Sequence, residues 1–290
     1  MAFVILLVAA LVSQAADLDT DIKARVRQFP GTVSIYAKNL DTGATYDLRG
    51  DEPVRTASTI KLALMVEAFA QVAEGRAKWP ETQVLRESDK VSGSGVLHEL
   101  SSGVWLPLRD LVNLMIVVSD NTATNLLVDR FTADAVNARM EKLGFKETRL
   151  MRKVRGDGTQ LKPAEGFSAA GRDPSNQKYG LGRSSPHEMV RLLEMLSKGE
   201  VVSAEASAAM LDILKRQQFA EGIGRRVKVP VASKSGSLDA LRSDVGIVYS
   251  PRGKIAMAIT VDGMSEIDYS VDNIGNLLIS DVTQILLKGL

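Results

Sequence analysis

Residues 115–127 read MIVVSDNTATNLL. The apolar residues that open this stretch are the last residues of a predicted helix over 106–118. A second predicted helix covers 122–130. The segment Ser119-Asp120-Asn121 therefore joins two helix ends. A hydroxyl in such a position can relay a proton, and an amide can hold a carbonyl oxygen. The simpler interpretation is that the serine or the aspartate caps the second helix.

A second motif, Ser58-Thr59-Ile60-Lys61, stands at the start of a strong predicted helix over 59–74. Lys61 follows Ser58 by one helical turn, so both side chains share one face. Backbone N–H groups at a helix start can bind an oxyanion. Burial and nearby cations can lower the pKa of a lysine until it accepts the serine proton. The alternative is a capping serine followed by a solvated lysine.

The third motif, Lys234-Ser235-Gly236-Ser237, ends a predicted strand. A strand edge offers main-chain groups to an extended substrate, and glycine permits close approach. Lys234 and Ser235 can bind a carboxylate, and Arg242 is a second candidate for that role. The N–H of Ser237 could complete an oxyanion hole with that of the first motif's serine. An exposed turn is the alternative, but it explains poorly why three motifs occur in this order.

Composition excludes several kinds of chemistry. The chain has 290 residues, a net charge of +1, no cysteine and two histidines. We therefore expect no thiol nucleophile, no Cys/His zinc site, no metal, no cofactor and no nucleic-acid partner. His98 and His187 have no visible catalytic partner, and a G-x-S-x-G elbow is absent from the sequence. Serine, lysine and carboxylates are left to carry the chemistry.

The order of predicted elements favours an α+β fold. Strands are predicted at 33–38, 44–48, 229–235, 244–249 and 254–261. A helix is predicted to begin with Ser185 as its N-cap, and the last helix is predicted at about 269–288. An antiparallel sheet, flanked by terminal helices, would come from the two ends of the chain, with an all-helical subdomain inserted between its strands. We expect the sheet subdomain at about 17–55 and 218–290, and the helical subdomain at about 56–217. A cleft between the two is where a ligand site usually forms.

The N-terminus predicts export. Residues 3–12 are apolar and small residues follow, which is typical of a secretory signal, so 1–16 is the predicted signal peptide. The protein would then reach the bacterial periplasm or the cell exterior. The alternative is a buried N-terminal helix.

The three motifs, together with residues 115–127, resemble the active-site set of class A β-lactamases and the related penicillin-binding proteins. The resemblance covers nearly the whole chain after residue 32. It implies a monomer that binds a β-lactam or an acyl-D-Ala-like molecule. It also implies a role for each motif residue: Ser58 is acylated, Lys61 is base or relay, Ser119 protonates the departing nitrogen, Asn121 positions substrate, and Lys234, Ser235 and Arg242 hold its carboxylate.

One part of the family pattern is missing. Class A β-lactamases carry a loop glutamate in an E-x-x-L-N run that activates the deacylating water, and this chain has no such run. The expected position falls near Val154 or Arg155. The carboxylates available in the loop are Asp157, Glu165 and Asp173, of which Glu165 is preferred as the only glutamate. Acylation and deacylation are separable steps. Three hypotheses therefore stay open: a serine β-lactamase, a slowly deacylating DD-peptidase or esterase, and a non-catalytic binding domain for peptidoglycan or β-lactams.

Overall fold

A five-stranded antiparallel sheet forms the centre of the molecule. The computed structural model describes residues 17–156 and 166–290. The strands, numbered in chain order, pair in the sequence β2-β1-β10-β9-β8, and β8 lies at one edge. They are β1 (Thr32–Asn39), β2 (Thr45–Leu48), β8 (Val231–Leu238), β9 (Leu241–Ser250) and β10 (Gly253–Asp262). The predicted strands all form, close to their predicted bounds, and the α+β prediction is confirmed.

Helices occupy both faces of this sheet. The described helices are α1 (17–26), α2 (Lys61–Ala73), α3 (Leu108–Val117), α4 (Asn121–Phe131), α5 (Ala133–Lys142), α6 (Ala169–Arg172), α7 (Pro186–Lys198), α8 (Ala204–Leu214) and α9 (Ile274–Gly289). The start of α7 follows the predicted signal, since Ser185 Oγ accepts from the N–H of Glu188 at 3.2 Å and Pro186 is the first helical residue. Gly199 ends the helix with a φ of 75°.

Strand residues feed two separate cores because neighbouring side chains point to opposite faces. On β10, Ala256 and Ala258 pack against the core formed with α2 and the other helices of the middle of the chain. Ile255 and Ile259 pack on the other face, in the core formed with α1 and α9. Every residue of α2 from 61 to 71 is buried, so this helix runs through the interior rather than over a surface.

Two segments differ from the predicted elements. α9 begins at Ile274 and not at about Tyr269, because the preceding residues cross the end of the β8–β9 hairpin; we call this segment, 264–273, the strap. The middle of the chain also contains short strands that periodicity does not reveal, since two or three residues carry no detectable period. They are β3 (Val54–Arg55), β4 (Thr82–Val84), β5 (Trp105–Pro107), β6 (Arg149–Leu150) and β7 (Gly182–Ser184).

The division into two subdomains and the signal peptide both remain predictions. The division of the chain at about residues 56 and 217 into two subdomains stays a prediction. The predicted signal peptide, 1–16, lies outside the described residues. Within 17–156 and 166–290, none of the helices combines the length and the apolar character that crossing a bilayer requires.

Candidate active site

Ser58 lies where a short helical turn leads into the buried helix α2. A 3-10 turn covers Ala57–Ile60, and Lys61 is the first residue of α2. The predicted shared face is therefore formed by a 3-10 turn joined to an α-helix. Ala57 has a φ of 46°, a left-handed conformation that costs a residue with a side chain roughly 1–2 kcal/mol. Such strain is kept where the surrounding structure fixes it, often at functional sites.

The amine of Lys61 is buried and directed at the second motif. Its Nζ donates to the main-chain oxygen of Ser119 at 2.7 Å, to Ser119 Oγ at 3.1 Å and to Asn121 Oδ1 at 3.1 Å. The exposed fraction of Lys61 is 0%. The alternative of a solvated lysine is thus excluded, and the first two motifs meet through one nitrogen atom.

Burial holds the pKa of Lys61 well below its usual range, because the charged amine has lost its water. The positive charge of Lys234 lowers this pKa further, while the carboxylate of Asp120 opposes the shift. The physical result is a lysine that gives up its proton more readily than a solvated one. A neutral amine at this place can accept a proton from a neighbouring hydroxyl.

The second motif is fixed by the aspartate in its middle. Asp120 Oδ1 accepts from the N–H of Ala123 at 2.8 Å and so caps α4, as the simpler interpretation expected. Its Oδ2 also accepts from the N–H groups of Val96 at 2.7 Å and Leu97 at 2.9 Å. Ser119 has a φ of 53°, a second strained position beside Lys61. Capping and site-building are therefore served by the same residue.

A glycine- and serine-rich segment, 91–95, packs on Asn121. The amide Nδ2 of Asn121 donates to the main-chain oxygen of Ser92 at 3.0 Å. The backbone N–H of Asn121 donates to the main-chain oxygen of Ser94 at 2.9 Å. A Cβ on Gly93 would lie 2.8 Å from Asn121 Nδ2, and one on Gly95 2.3 Å from Asp120. The two glycines thus permit the contact that orients the Asn121 amide, with Oδ1 towards Lys61.

The third motif brings a second buried cation to the cleft. Lys234 is 0% exposed, and its Nζ donates to the main-chain oxygen of Ser235 at 2.7 Å. Burial lowers the pKa of Lys234 to about 7, with the carboxylate of Asp244 acting in the opposite direction. Asp244 is itself buried, and its pKa is raised to about 7 by the same loss of solvent. A bound anion would favour the charged form of Lys234.

Glycine at position 236 allows β8 to touch the turn that carries the first serine. A Cβ at Gly236 would lie 2.8 Å from the nitrogen of Ser58 and 2.8 Å from the oxygen of Thr56. The next residue, Ser237, is exposed on the cleft-side edge strand. The backbone N–H groups of Ser58 and Ser237 are therefore carried on two segments in direct contact, as an oxyanion hole requires.

Arg242 lies on β9, opposite Ser237 in the strand register. It is 2% exposed, and its guanidinium donates to the main-chain oxygens of Leu238, Leu241 and Asp268. The expectation that Arg242 holds a substrate carboxylate stays a prediction. Its main contacts in the structure are with the hairpin and with the strap.

The loop expected to supply a deacylating carboxylate is anchored by Asn125. Its Oδ1 accepts from the N–H of Val154 at 2.8 Å, and its Nδ2 donates to the oxygen of Val154 at 3.0 Å. Arg155 stacks on Phe167, 5.1 Å from the ring centre. The residues held at the expected position thus carry an apolar and a cationic side chain.

Three acidic residues were candidates for activating water. Glu165, the preferred one, and Asp157 lie outside the described residues. Asp173 is exposed and caps the 3-10 turn Pro174–Tyr179 by accepting from the N–H of Ser175 at 2.9 Å. Its role in the described structure is local.

Neither histidine is paired with the candidate nucleophile. His187 Nδ1 lies 2.9 Å from the exposed carboxylate of Asp51, and His98 Nε2 lies 3.1 Å from that of Glu99. Both were expected to be structural or exposed. These contacts agree with a site that operates without imidazole.

Sequence reasoning missed three contributors to this geometry. Asp120 was considered only as a cap, Asn125 only as part of a resemblance, and the 91–95 segment was not assigned a role. The available signal was the pair Gly93 and Gly95 close to serines, a pattern that marks close backbone approach. What they approach depends on tertiary contacts that no local pattern contains.

The proteins to which this chain is similar include β-lactamases and PBP-A. A family model described as the β-lactamase enzyme family matches residues 17–290. The β-lactamase SME-1 of Serratia marcescens is 24% identical over 83% of this chain and 78% of its own. A solved β-lactamase from Sphaerobacter thermophilus is 33% identical, covers 95% of this chain and 96% of its own, and superposes with a TM-score of 0.79. A mutant of PBP-A, solved as an acyl-enzyme complex with penicillin G, is 26% identical over 94% of this chain and 96% of its own, also with a TM-score of 0.79.

Proposed function

Since this chain belongs to the β-lactamase enzyme family, we propose that it is a serine β-lactamase that works through an acyl-enzyme on Ser58 and is limited by the hydrolysis of that acyl-enzyme. The observation that carries the proposal is the buried Lys61 amine, held by Ser119 and Asn121 beside the turn of Ser58. We infer further that residues 1–16 direct export to the periplasm or the cell exterior, where the protein would meet β-lactams.

Acylation begins with a proton transfer. The neutral Lys61 amine accepts the Ser58 hydroxyl proton, and the resulting oxygen nucleophile attacks the lactam carbonyl. The N–H groups of Ser58 and Ser237 stabilise the negative charge on the carbonyl oxygen. As the C–N bond breaks, Ser119 donates its hydroxyl proton to the leaving nitrogen and recovers one from Lys61, to which its Oγ is bonded at 3.1 Å.

Substrate is held by the other polar groups of the cleft. The carboxylate of a β-lactam is bound by the Lys234 charge and the Ser235 hydroxyl. The acyl amide of the substrate accepts from Asn121 Nδ2, which exchanges its contact with Ser92 for the ligand. Because the burial of Lys234 lowers its pKa to about 7, binding of the carboxylate draws a proton onto it.

Deacylation distinguishes this chain from a fast β-lactamase. A water molecule must attack the acyl-Ser58 ester, and a base must take its proton. Val154, clamped by Asn125 where that base is expected, has no titratable group. Glu165 is the candidate base in the remainder of the loop. The same observation favours a second candidate function, a penicillin-binding type of peptidase or esterase whose β-lactam adduct persists.

One experiment separates these functions. The protein is mixed with a chromogenic cephalosporin, and product release and the mass of the intact protein are followed together. Many turnovers with a visible acyl-enzyme support a β-lactamase limited by deacylation. A single burst with a lasting adduct supports the peptidase-like function, and no adduct indicates a binding domain.

Two variants assign the residues. Ser58→Ala is expected to abolish both product and adduct, and unchanged hydrolysis by this variant would refute the whole proposal. Glu165→Gln is expected to keep the rate of adduct formation and to slow the loss of the adduct. An effect of Glu165→Gln on adduct formation alone would remove it as the deacylating base.

A further inference from the structure

The strap covers the end of the hairpin that carries Ser237. β8 and β9 are joined by Asp239 and Ala240 alone. The oxygen of Ala240 accepts from the N–H groups of Gly263 at 3.0 Å and Met264 at 3.1 Å. The turn is therefore tied at its tip to the first residues after β10, and the strap continues from there across the hairpin.

Arg242 joins the hairpin to the strap. Its Nη1 donates to the oxygens of Leu238 at 2.5 Å and Leu241 at 2.6 Å, and its Nη2 donates to the oxygen of Asp268. The two hydrogens of Nη1 are thus used on the main chain. A guanidinium binds a carboxylate best through two parallel N–H donors in a fork. Arg242 is 2% exposed, and both of its terminal nitrogens bind main-chain oxygens of the hairpin and the strap.

Tyr269 closes the arrangement from the strap side. Its hydroxyl donates to Asp239 Oδ1 at 2.8 Å, and its ring lies 4.9 Å from the guanidinium carbon of Arg242. Burial and the Asp239 carboxylate raise the pKa of Tyr269 to about 12, so the hydroxyl stays a donor throughout the working range. Asn273, which caps α9, donates to the main-chain oxygen of Asp268 at 2.8 Å and so joins the strap to the start of α9.

We propose that Arg242, Tyr269 and Asp239 form a latch that positions the Ser237 end of β8 for the reaction, and that Arg242 is a positioning residue and not a ligand of the substrate carboxylate. The register places Arg242 directly opposite Ser237, so the latch acts on the residue whose N–H faces the developing oxyanion. This inference rests on the proposed acylation of Ser58.

The latch has a consequence for specificity. Lys234 and Ser235 remain as the groups that read the carboxylate, whereas the latch supports the oxyanion donor. An oxyanion donor acts on every acyl substrate, whether or not the substrate has a carboxylate. Loss of the latch should therefore slow acylation by carboxylate-bearing and carboxylate-free substrates by the same factor.

The test compares two substrates and two matched tyrosine variants. The substrates are a cephalosporin, which has the carboxylate, and an acyl thioester without one. Tyr269→Phe removes only the hydroxyl of the latch and leaves the ring over Arg242. Tyr249→Phe makes the same change on β9, away from the hairpin turn, and serves as the control. Arg242→Gln removes the guanidinium itself.

Three quantities are measured: the rate constant of Ser58 acylation, the substrate concentration that gives half of the maximal acylation rate, and the rate of amide hydrogen exchange at residues 236–242. We expect Tyr269→Phe to slow acylation about fivefold on both substrates, since one hydrogen bond to a charged group is lost. The half-saturating substrate concentration should stay unchanged, and amide hydrogen exchange at 236–242 should become faster. Arg242→Gln should slow both substrates by a larger and again equal factor.

Two results would overturn the latch. One is that Arg242→Gln slows acylation by the cephalosporin alone and does so by raising the half-saturating concentration. That result would make Arg242 a carboxylate ligand. The other is a Tyr269→Phe variant that behaves as Tyr249→Phe does in both kinetics and exchange. Failure of the proposed function is seen separately, as wild-type protein without an adduct on Ser58, and hydrogen exchange still tests the latch in that case.

Discussion

The cluster around Lys61 and the loop around Val154 both contact α4, through Asn121 and Asn125, but are built differently. The Lys61 amine has three acceptors, and Asp120 accepts from three backbone N–H groups. The described part of the loop near Val154 is held by the side chain of Asn125, by the ion pair of Lys153 with Asp129 and by the packing of Val154 on the core. The groups proposed to form an acyl-enzyme are thus fixed by many mutual contacts, whereas Val154 is fixed through its backbone by one side chain.

This difference indicates which half of the proposed cycle depends on the packing of the fold. The proposed acylating groups lie in the turn that enters α2, at the start of α2, at and just before the start of α4, and on β8, and the cores on the two sheet faces set the positions of these elements. Val154 lies between elements, half-buried against the core of the helical face, in a loop segment. The comparison predicts large losses from changes in the cluster and gains from changes in the loop.

Lys61→Met should have the largest effect. It keeps most of the buried volume and removes the proton acceptor, so acylation of Ser58 is expected to fall by about a thousandfold or more. The measurement is the rate of adduct formation by mass spectrometry. Arg139→Met, which removes a cation paired with Glu67 outside the cleft, is the matched control for loss of a charge. A Lys61→Met variant that acylated at the wild-type rate would assign the base elsewhere.

Val154→Glu should have the next largest effect, in the opposite direction. The Asn125 clamp fixes the backbone of residue 154, and a carboxylate placed there can accept a proton from the attacking water. We expect the breakdown of the acyl-enzyme to accelerate by about a hundredfold, at an unchanged rate of acylation. Single-turnover kinetics with the chromogenic cephalosporin measure both steps.

Val154→Gln is the control for this gain because it has the same shape and no base. Equal deacylation by the glutamate and glutamine variants would show that the position does not contact the water. It would also move attention to Glu165, for which Glu165→Gln gives the direct test.

The contrast also explains what the sequence predicts. Ser58, Lys61 and Ser119 are proposed from motifs because their chemistry depends on fixed spacing along helices, and Lys61 is buried against the second motif as the pKa argument required. The strands of the sheet follow from alternating and β-branched residues. Such signals are local, and local signals were sufficient for the α+β fold and for the contact of Lys61 with the second motif.

Other features depend on contacts between distant residues. Tyr269 was assigned to the last helix because its neighbours fit a helical pattern, yet its hydroxyl bonds Asp239 in the hairpin turn and α9 starts at Ile274. Asn125 pairs with Val154 across a gap in sequence that no period spans. Arg242 was chosen by its charge, whereas its contacts are with main-chain oxygens.

Asn125→Ala should weaken the loop and leave the cluster intact. It removes both hydrogen bonds to Val154 and leaves two backbone groups without a partner, at a cost of about 2 kcal/mol in the free energy of unfolding. Chemical denaturation measures this loss, and hydrogen exchange should locate it at 152–156. Acylation of Ser58 should change by less than about threefold. A larger fall in acylation would mean that the cluster and the loop are one unit and would break the comparison.

The smallest expected effect is a pH dependence that belongs to the cluster alone. At low pH, Lys61 is protonated and cannot accept the serine proton, so acylation should rise as pH rises through the lowered pKa of Lys61. Above pH 7, Lys234, whose pKa burial lowers to about 7, loses its charge and binds the carboxylate less well. Between pH 7 and pH 8 the second-order rate constant for a cephalosporin should therefore fall about fivefold, while a carboxylate-free thioester shows no such fall.

Two variants test the source of this alkaline fall. Lys234→Arg keeps its charge above pH 8, so the fall should disappear. Asp244→Asn removes the carboxylate that raises the pKa of Lys234, so the fall should move to lower pH. Deacylation, measured on the preformed acyl-enzyme, should be unaffected by either change, because the proposed base of this step is Glu165 and not Lys234. A common pH profile for both steps would instead place one titrating group in control of the whole cycle.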